Sequence, residues 1–251
     1  MEGVLPLEAA PQEKGLSRRP SMHTGGGLTS FGRKVWAVLS KEIRTEIRAK
    51  EVFTTMILFG ILAAIIFGMS FDLRVPRPEM VVPGILWVIV LFAGVVGLNR
   101  SFGAEVDRGT LAGLLLTPVD RSAIFFGKFL ANLIFMLLME ILLLPVLLIM
   151  FDVNLFQFWI LVGLLLGTVG YAIVGTFFAA LTASVRARET MLPILLLPVI
   201  VPVFMAGISL TAGVIDERSM SGLWRWLIML VVYDLIFLVV SYLVFDVIWE
   251  N

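Results

Sequence analysis

Six apolar runs, four of them free of charge, dominate the chain and leave almost no choice of architecture. Uncharged stretches occupy residues 52–71, 80–99, 153–185 and 190–215. Two further apolar stretches, 122–151 and 226–245, carry only isolated charges: Lys128 and Glu140 in the first, Asp234 in the second. Crossing about 30 Å of hydrocarbon as helix takes about 20 mostly apolar residues. The runs are too long for strands of a membrane barrel and do not alternate, so helices are the backbone solution that remains. The expectation is an all-α, polytopic membrane protein with six transmembrane helices. With 59% hydrophobic and 15% charged residues in a chain of 251, no sizeable aqueous domain fits beside them.

The basic residues orient these spans. Nine precede span one, from Lys14 to Lys50; Arg100, Arg108, Arg121 and Lys128 follow span two; Arg186 and Arg188 follow span four. The opposite side has Arg74, Arg77, Arg218 and Arg225. By the positive-inside rule both termini face the cytoplasm. Residues 1–30 have no apolar core of a cleaved signal, read as a disordered tail, and leave span one to act as its own insertion signal. Acidic and basic residues cancel, giving no indication of a nucleic-acid partner, and the absence of cysteine excludes disulfides and thiolate metal sites.

Two cytoplasmic segments stand out. Over residues 31–51, Val35, Leu39, Ile43 and Ile47 recur every four positions beside Trp36 among Arg, Lys and Glu. This pattern predicts an amphipathic helix on the membrane surface, serving as a topological anchor or as a lever touching a partner. The loop 99–121 is longer than a simple return requires. Ser101 and Thr110 are positioned to cap two short helices, Leu111, Leu114 and Leu115 then share a face, Gly109 offers a swivel, and Pro118 ends the second helix. With Glu105, Asp107 and Arg108 supplying charge, the result is an elbow suited to docking a soluble partner or to packing on the membrane surface.

Inside the bundle, Glu140 and Asp234 are costly, at about 2.5–3.5 kcal/mol each on insertion scales. They are candidates, with Lys128 and Asn132, for a polar path or for joining spans three and six; a protonated carboxyl bonded to backbone is the plainer reading. Counted from the start of span three, Glu140 falls roughly 24 Å deep. Pro193, Pro198 and Pro202 make span five a hinge candidate or a static bend. Gly60, Ala64 and Gly68, and Gly163 with Gly167, form small-residue faces suited to tight packing or to a homodimer seam.

The sequence EVDRGTLAGLLLTP at 105–118, FGKFLAN at 126–132 and the triple-proline LPILLLPVIVPVF at 192–204, with KEIRTEIRAKE at 41–51, resemble the heme exporter protein B (CcmB) family over about residues 35–245. The long polar tail and short C-terminal end depart from that pattern without touching its motifs. The resemblance implies the permease subunit of an ABC transporter in the bacterial cytoplasmic membrane, acting in cytochrome c maturation. Its partners would be a separate ABC ATPase, other maturation proteins and membrane lipid. Heme would be the substrate rather than a tightly bound cofactor, and ATP would be used by the partner. Two other readings share the elbow: a non-transporting scaffold that remodels a heme chaperone complex, and an ABC-2-like permease for another amphipath.

Enzymatic chemistry is not expected. The nearest approach to a phosphate-cradling G-x-x-x-x-G-K-[ST] loop begins at Gly27 but has Arg33 after Gly32. The only histidine is His23, so no imidazole sits in a span. Neither the segment from Gly207 to Thr211 nor the Tyr233, Asp234 pair completes the acid and base that an intramembrane protease needs. Reporter fusions at Glu2 and at Asn251 should both read as cytoplasmic; an external signal at either end would break the six-span topology.

Overall fold

The computed structural model describes residues 27–71, 77–107, 120–183, 185 and 187–248. Seven helices are present among them: α1 (Gly27–Ala49), α2 (Glu51–Phe71), α3 (Val82–Asp107), α4 (Arg121–Phe151), α5 (Phe158–Thr182), α6 (Arg188–Ile215) and α7 (Met220–Ile248). Helices α2 to α7 are each long and apolar enough to cross a membrane. In hydrocarbon a helix satisfies its own backbone, so these stretches have no competing structure.

Local chemistry sets the boundaries. Between α1 and α2, Lys50 adopts a left-handed conformation (φ 55°), breaking the helix so that α2 can start on a new line. The Glu46 carboxylate then accepts a hydrogen bond from the Phe53 N–H at 2.8 Å, satisfying one of the donors orphaned at the start of α2. On the opposite side, Asp152 ends α4 in the left-handed region (φ 54°). Asn154 accepts from the Phe156 N–H at 2.9 Å, a local turn that competes with helix. Span four therefore begins at Phe158, five residues after the apolar run does. Span two likewise begins at Val82, because Pro78–Met80 forms a 3-10 turn first.

Helix α3 packs against α2, α4, α5 and α6, and α5 against α3, α4, α6 and α7. Their junction is filled by Trp87, Tyr171 and Phe204. Trp87 and Tyr171 each meet Phe204 edge-on, with ring centroids 5.5 and 5.6 Å apart, a favourable aromatic arrangement. Both polar tips are satisfied: Trp87 Nε1 donates to Thr211 at 3.1 Å, and the Tyr171 hydroxyl to the Leu91 carbonyl at 2.6 Å. Room for the indole comes from Gly167 and Gly207, where an added Cβ would collide with its ring.

The small-residue faces serve the same purpose. Gly60 and Gly68 of α2 lie against Met139 and Met150 of α4, and Gly163 and Gly175 of α5 against Leu210 and Leu98. These faces close contacts within one chain, as the packing reading expected, and are not left open as a seam for a second copy.

Span five remains one helix through Pro193, Pro198 and Pro202. Its neighbour supports it there, since the Tyr233 hydroxyl of α7 donates to the Val199 carbonyl at 2.9 Å. Pro145 inside α4 is a further helix-interior proline, absent from the hinge candidates above.

Gly207→Ala should lower thermal stability in detergent by about 1–3 kcal/mol, the usual cost of overpacking. Gly222→Ala, whose added Cβ meets nothing within 4 Å, should not lower it, since alanine is the better helix former. Equal unfolding temperatures for the two variants would refute the close fit around Trp87.

Candidate functional site

The cytoplasmic half of the molecule is organised by α1 and the first half of α4. Instead of resting on lipid alone, α1 packs along α4 over its first half, from Phe31 to Glu42. Val35 and Val38 fit against Gly127, whose missing side chain allows the close approach, and Phe31 meets the Phe126 ring edge-on at 6.1 Å. Trp36 and Ile47 stay exposed on the other side, where lipid can cover them. An amphipathic period reveals that a helix has an apolar face but not which surface covers it.

Two ion pairs fasten this contact. Lys34 reaches Asp120 at 2.7 Å, just before α4. Further along, Lys128 reaches Glu42 at 3.2 Å, and Lys41 shares the same carboxylate oxygen at 3.2 Å. Lys128 is 1% exposed, so this pair is shielded from the solvent that weakens surface pairs. Lys128, proposed above for a polar path, thus meets the surface helix at the cytoplasmic end.

The other polar residues of α4, Asn132 and Glu140, continue the same stripe four and twelve residues after Lys128. Asn132 donates to Thr176 at 3.0 Å, and Thr168 donates to Glu140. Asn132 and Glu140 are eight apart on α4, and Thr168 and Thr176 are eight apart on α5, in reverse order. This is the register of two antiparallel helices with facing stripes. The threonines were not among the residues singled out from sequence, although their matched spacing was a visible signal.

Glu140 and Asp234 do not face one another. Glu140 turns to Thr168, while Asp234 of α7 lies against α5 at Gly170, where an added Cβ would strike its carboxylate. Both carboxyls therefore face α5 from different sides. Among the described residues, Glu140 Oε2 and both Asp234 carboxylate oxygens have no hydrogen-bond partner. The level of Glu140 can also be counted along α2. Its neighbour Met139 lies against Gly60, nine residues into α2, or about 14 Å at helical rise. That is near the middle of about 30 Å of hydrocarbon; the first turns of α4 run beside α1 before α4 meets α2.

The elbow lies only partly within the described residues. Helix α3 continues unbroken to Asp107, so Ser101 is interior to it and caps no separate short helix. Glu105 and Asp107 sit on this extension, about 6 and 9 Å beyond Ser101 by helical rise. Arg108, Gly109, Thr110, Leu111, Leu114, Leu115 and Pro118 lie outside the described residues, as do His23 and most of the N-terminal tail. Beside the extension, a cleft of about 520 Å³ opens among Glu51, Asn99, Arg100, Gly103, Arg188 and Glu189, at the cytoplasmic ends of α2, α3 and α6. No cluster of metal-ligating side chains occurs among the described residues.

A double-mutant cycle on Asn132→Ala and Thr176→Ala should return a coupling energy of about 0.6–1.7 kcal/mol, the range found for hydrogen bonds between membrane helices. A cycle that closes additively would show that the stripe does not join α4 to α5.

The protein family described as CcmB protein matches residues 33–245, from α1 through α7. Among curated relatives, heme exporter protein B of Rhodobacter capsulatus is 32% identical over 180 residues, covering 69% of this chain and 80% of that one. Heme exporter protein B of Pseudomonas aeruginosa is 25% identical over 191 residues, covering 76% and 86%. That of Haemophilus influenzae is 26% identical over 170 residues, covering 66% and 76%. The match takes in the clamped helix pair, all six spans and the elbow between α3 and α4, and the chain belongs to the CcmB family.

Proposed function

We propose that this chain is the membrane permease subunit of an ABC transporter that exports or delivers heme for cytochrome c maturation in the bacterial cytoplasmic membrane. The observation that carries this reading is the family match across the whole membrane domain, with relatives named heme exporter protein B. The chain brings no phosphate-cradling loop of its own, so a separate ATPase supplies the energy and heme is the cargo.

The elbow is where that energy enters. Its first end continues the helical extension of α3, and its last residue before α4, Asp120, is tied to Lys34 of α1. A partner that docks on Leu111, Leu114 and Leu115, with Glu105, Asp107 and Arg108 setting register, would therefore push on α3 and on the α1 and α4 pair together. Nucleotide-driven closure shifts such a domain only through contacts that differ between two states. The prolines of α6 give that span a place to bend, and the buried stripe on α4 keeps α4 and α5 moving as one.

One observation favours a second reading, a membrane scaffold that couples ATPase motion to remodelling of a heme chaperone complex without moving heme through itself. The centre of the bundle, where α3, α5 and α6 meet, is filled by the wholly buried Trp87 and Tyr171 packed on Phe204.

The purified chain should have negligible ATPase activity, and mild-detergent purification should recover a P-loop ATPase with it. Substituting Leu111→Ser together with Leu115→Ser should leave insertion and protein level near normal while weakening that association and abolishing cytochrome c production. Reversing Asp107 and Arg108 should cost less, since exposed ion pairs contribute about 0–1 kcal/mol. Full ATPase binding and full cytochrome c output in the leucine variant would reduce the elbow to a connector.

A further inference from the structure

A groove of about 580 Å³ separates the end of α1 from α2 and α4. Its walls are apolar, formed by Ile43 and Ile47 of α1, Phe53 and Ile57 of α2, and Ile134 and Leu138 of α4. Its mouth is polar, with Lys50, Glu46 and Thr54 at the break between α1 and α2. Ile47 and Leu138 are 65% and 43% exposed, so the groove is open to the surroundings of the bundle.

We infer that this groove holds one glycerophospholipid of the cytoplasmic leaflet, its phosphate at Lys50 and Thr54 and one acyl chain between α1, α2 and α4.

Depth comes first. Lys50 precedes the first residue of span one, and Ile57 lies about 10 Å further along the helix, within the outer third of about 30 Å of hydrocarbon. A molecule seated there has its polar end at the headgroup level and its apolar end among the chains.

The second argument is charge. Lys50, held at φ 55°, is exposed and makes no ion pair among the described residues, and the Thr54 hydroxyl has no hydrogen-bond partner among them. The first N–H groups of α2 add the partial positive charge of a helix start. Glu46 keeps its negative charge while accepting from the Phe53 N–H, and Glu51 adds a second carboxylate in the first turn of α2; the mouth therefore presents both signs of charge, which suits a zwitterionic headgroup with its phosphate at Lys50 and its ethanolamine ammonium at Glu46. A free phosphate would satisfy Lys50 but leave the apolar walls uncovered, whereas a phospholipid satisfies both.

A consequence follows for the clamp between α1 and α4. The ion pairs and the Gly127 contact hold the upper part of α1, but below Glu42 the two helices diverge around the groove. A lipid chain there fills the space and couples the end of α1 to span one.

The test is native mass spectrometry of the full chain, delipidated in detergent and titrated with palmitoyl-oleoyl-phosphatidylethanolamine. The expected result is a first lipid bound at least tenfold more tightly than those that follow. Lys50→Glu should weaken that first binding at least fivefold, and Leu138→Trp, which fills the groove, should eliminate it. If either variant is not monodisperse, Lys50→Gln and Leu138→Phe replace them with the same expected direction. Inorganic phosphate and hemin serve as competitors, and neither should displace the lipid. A statistical ladder of equal adducts unaffected by the substitutions, displacement by phosphate, or displacement by hemin would each overturn the assignment. None of these outcomes depends on ATPase association or cytochrome c output, so failure here is distinguishable from failure of the permease reading.

Discussion

Every spanning segment of this protein lies in a medium that offers its backbone no hydrogen bonds. Each span closes its own N–H and C=O groups as helix, and the hydrophobic effect then contributes little to bringing helices together, because lipid is as apolar as their side chains. What remains is close fit and the pairing of buried polar groups. Both are concentrated where α3, α5 and α6 meet: two glycines make room for Trp87, its ring N–H finds Thr211, and Phe204 joins it to Tyr171. The same logic sets α4 against α5, where Asn132 and Glu140 find threonines at matching intervals.

The cytoplasmic half follows a different rule, because water and headgroups tolerate charge. There α1 is joined to α4 by ion pairs as well as by apolar contact, and the pair from Lys128 to Glu42 is buried enough to be costly to break. The described residues on either side of the elbow are the helical extension of α3 and Asp120, which is tied to Lys34 of α1. The placement of the helices pairs the buried Lys128 with Glu42 of the surface helix.

The candidate site was legible in part. The carboxyls, the prolines and the elbow leucines announce themselves because their chemistry is unusual for where they stand in the chain. Thr168, Thr176 and Glu42 do not, since threonine is unremarkable in a span and a glutamate is ordinary in a basic helix. Their importance comes from partners: Thr176 is 44 residues from Asn132, and Glu42 is 86 residues from Lys128. Glu140 lies far along α4 yet level with the middle of α2, because the first turns of α4 run beside α1, and only the contact of Met139 with Gly60 reveals that register.

The sequence by itself determined the number of spans, their helical form and their expected orientation, because the bilayer judges each segment by its own length, hydrophobicity and flanking charge. It also determined the family, through motifs that are contiguous along the chain. Only the tertiary structure decided which face of each helix is covered, that the glycine stripes close contacts inside one chain, that Asp234 and Glu140 both turn toward α5, and that α1 lies along α4. Those outcomes depend on the placement of helices whose partners are remote in sequence, such as Trp87 and Thr211, 124 residues apart. Periodicity records that a helix has a face to bury, and the packing of the whole bundle selects what buries it.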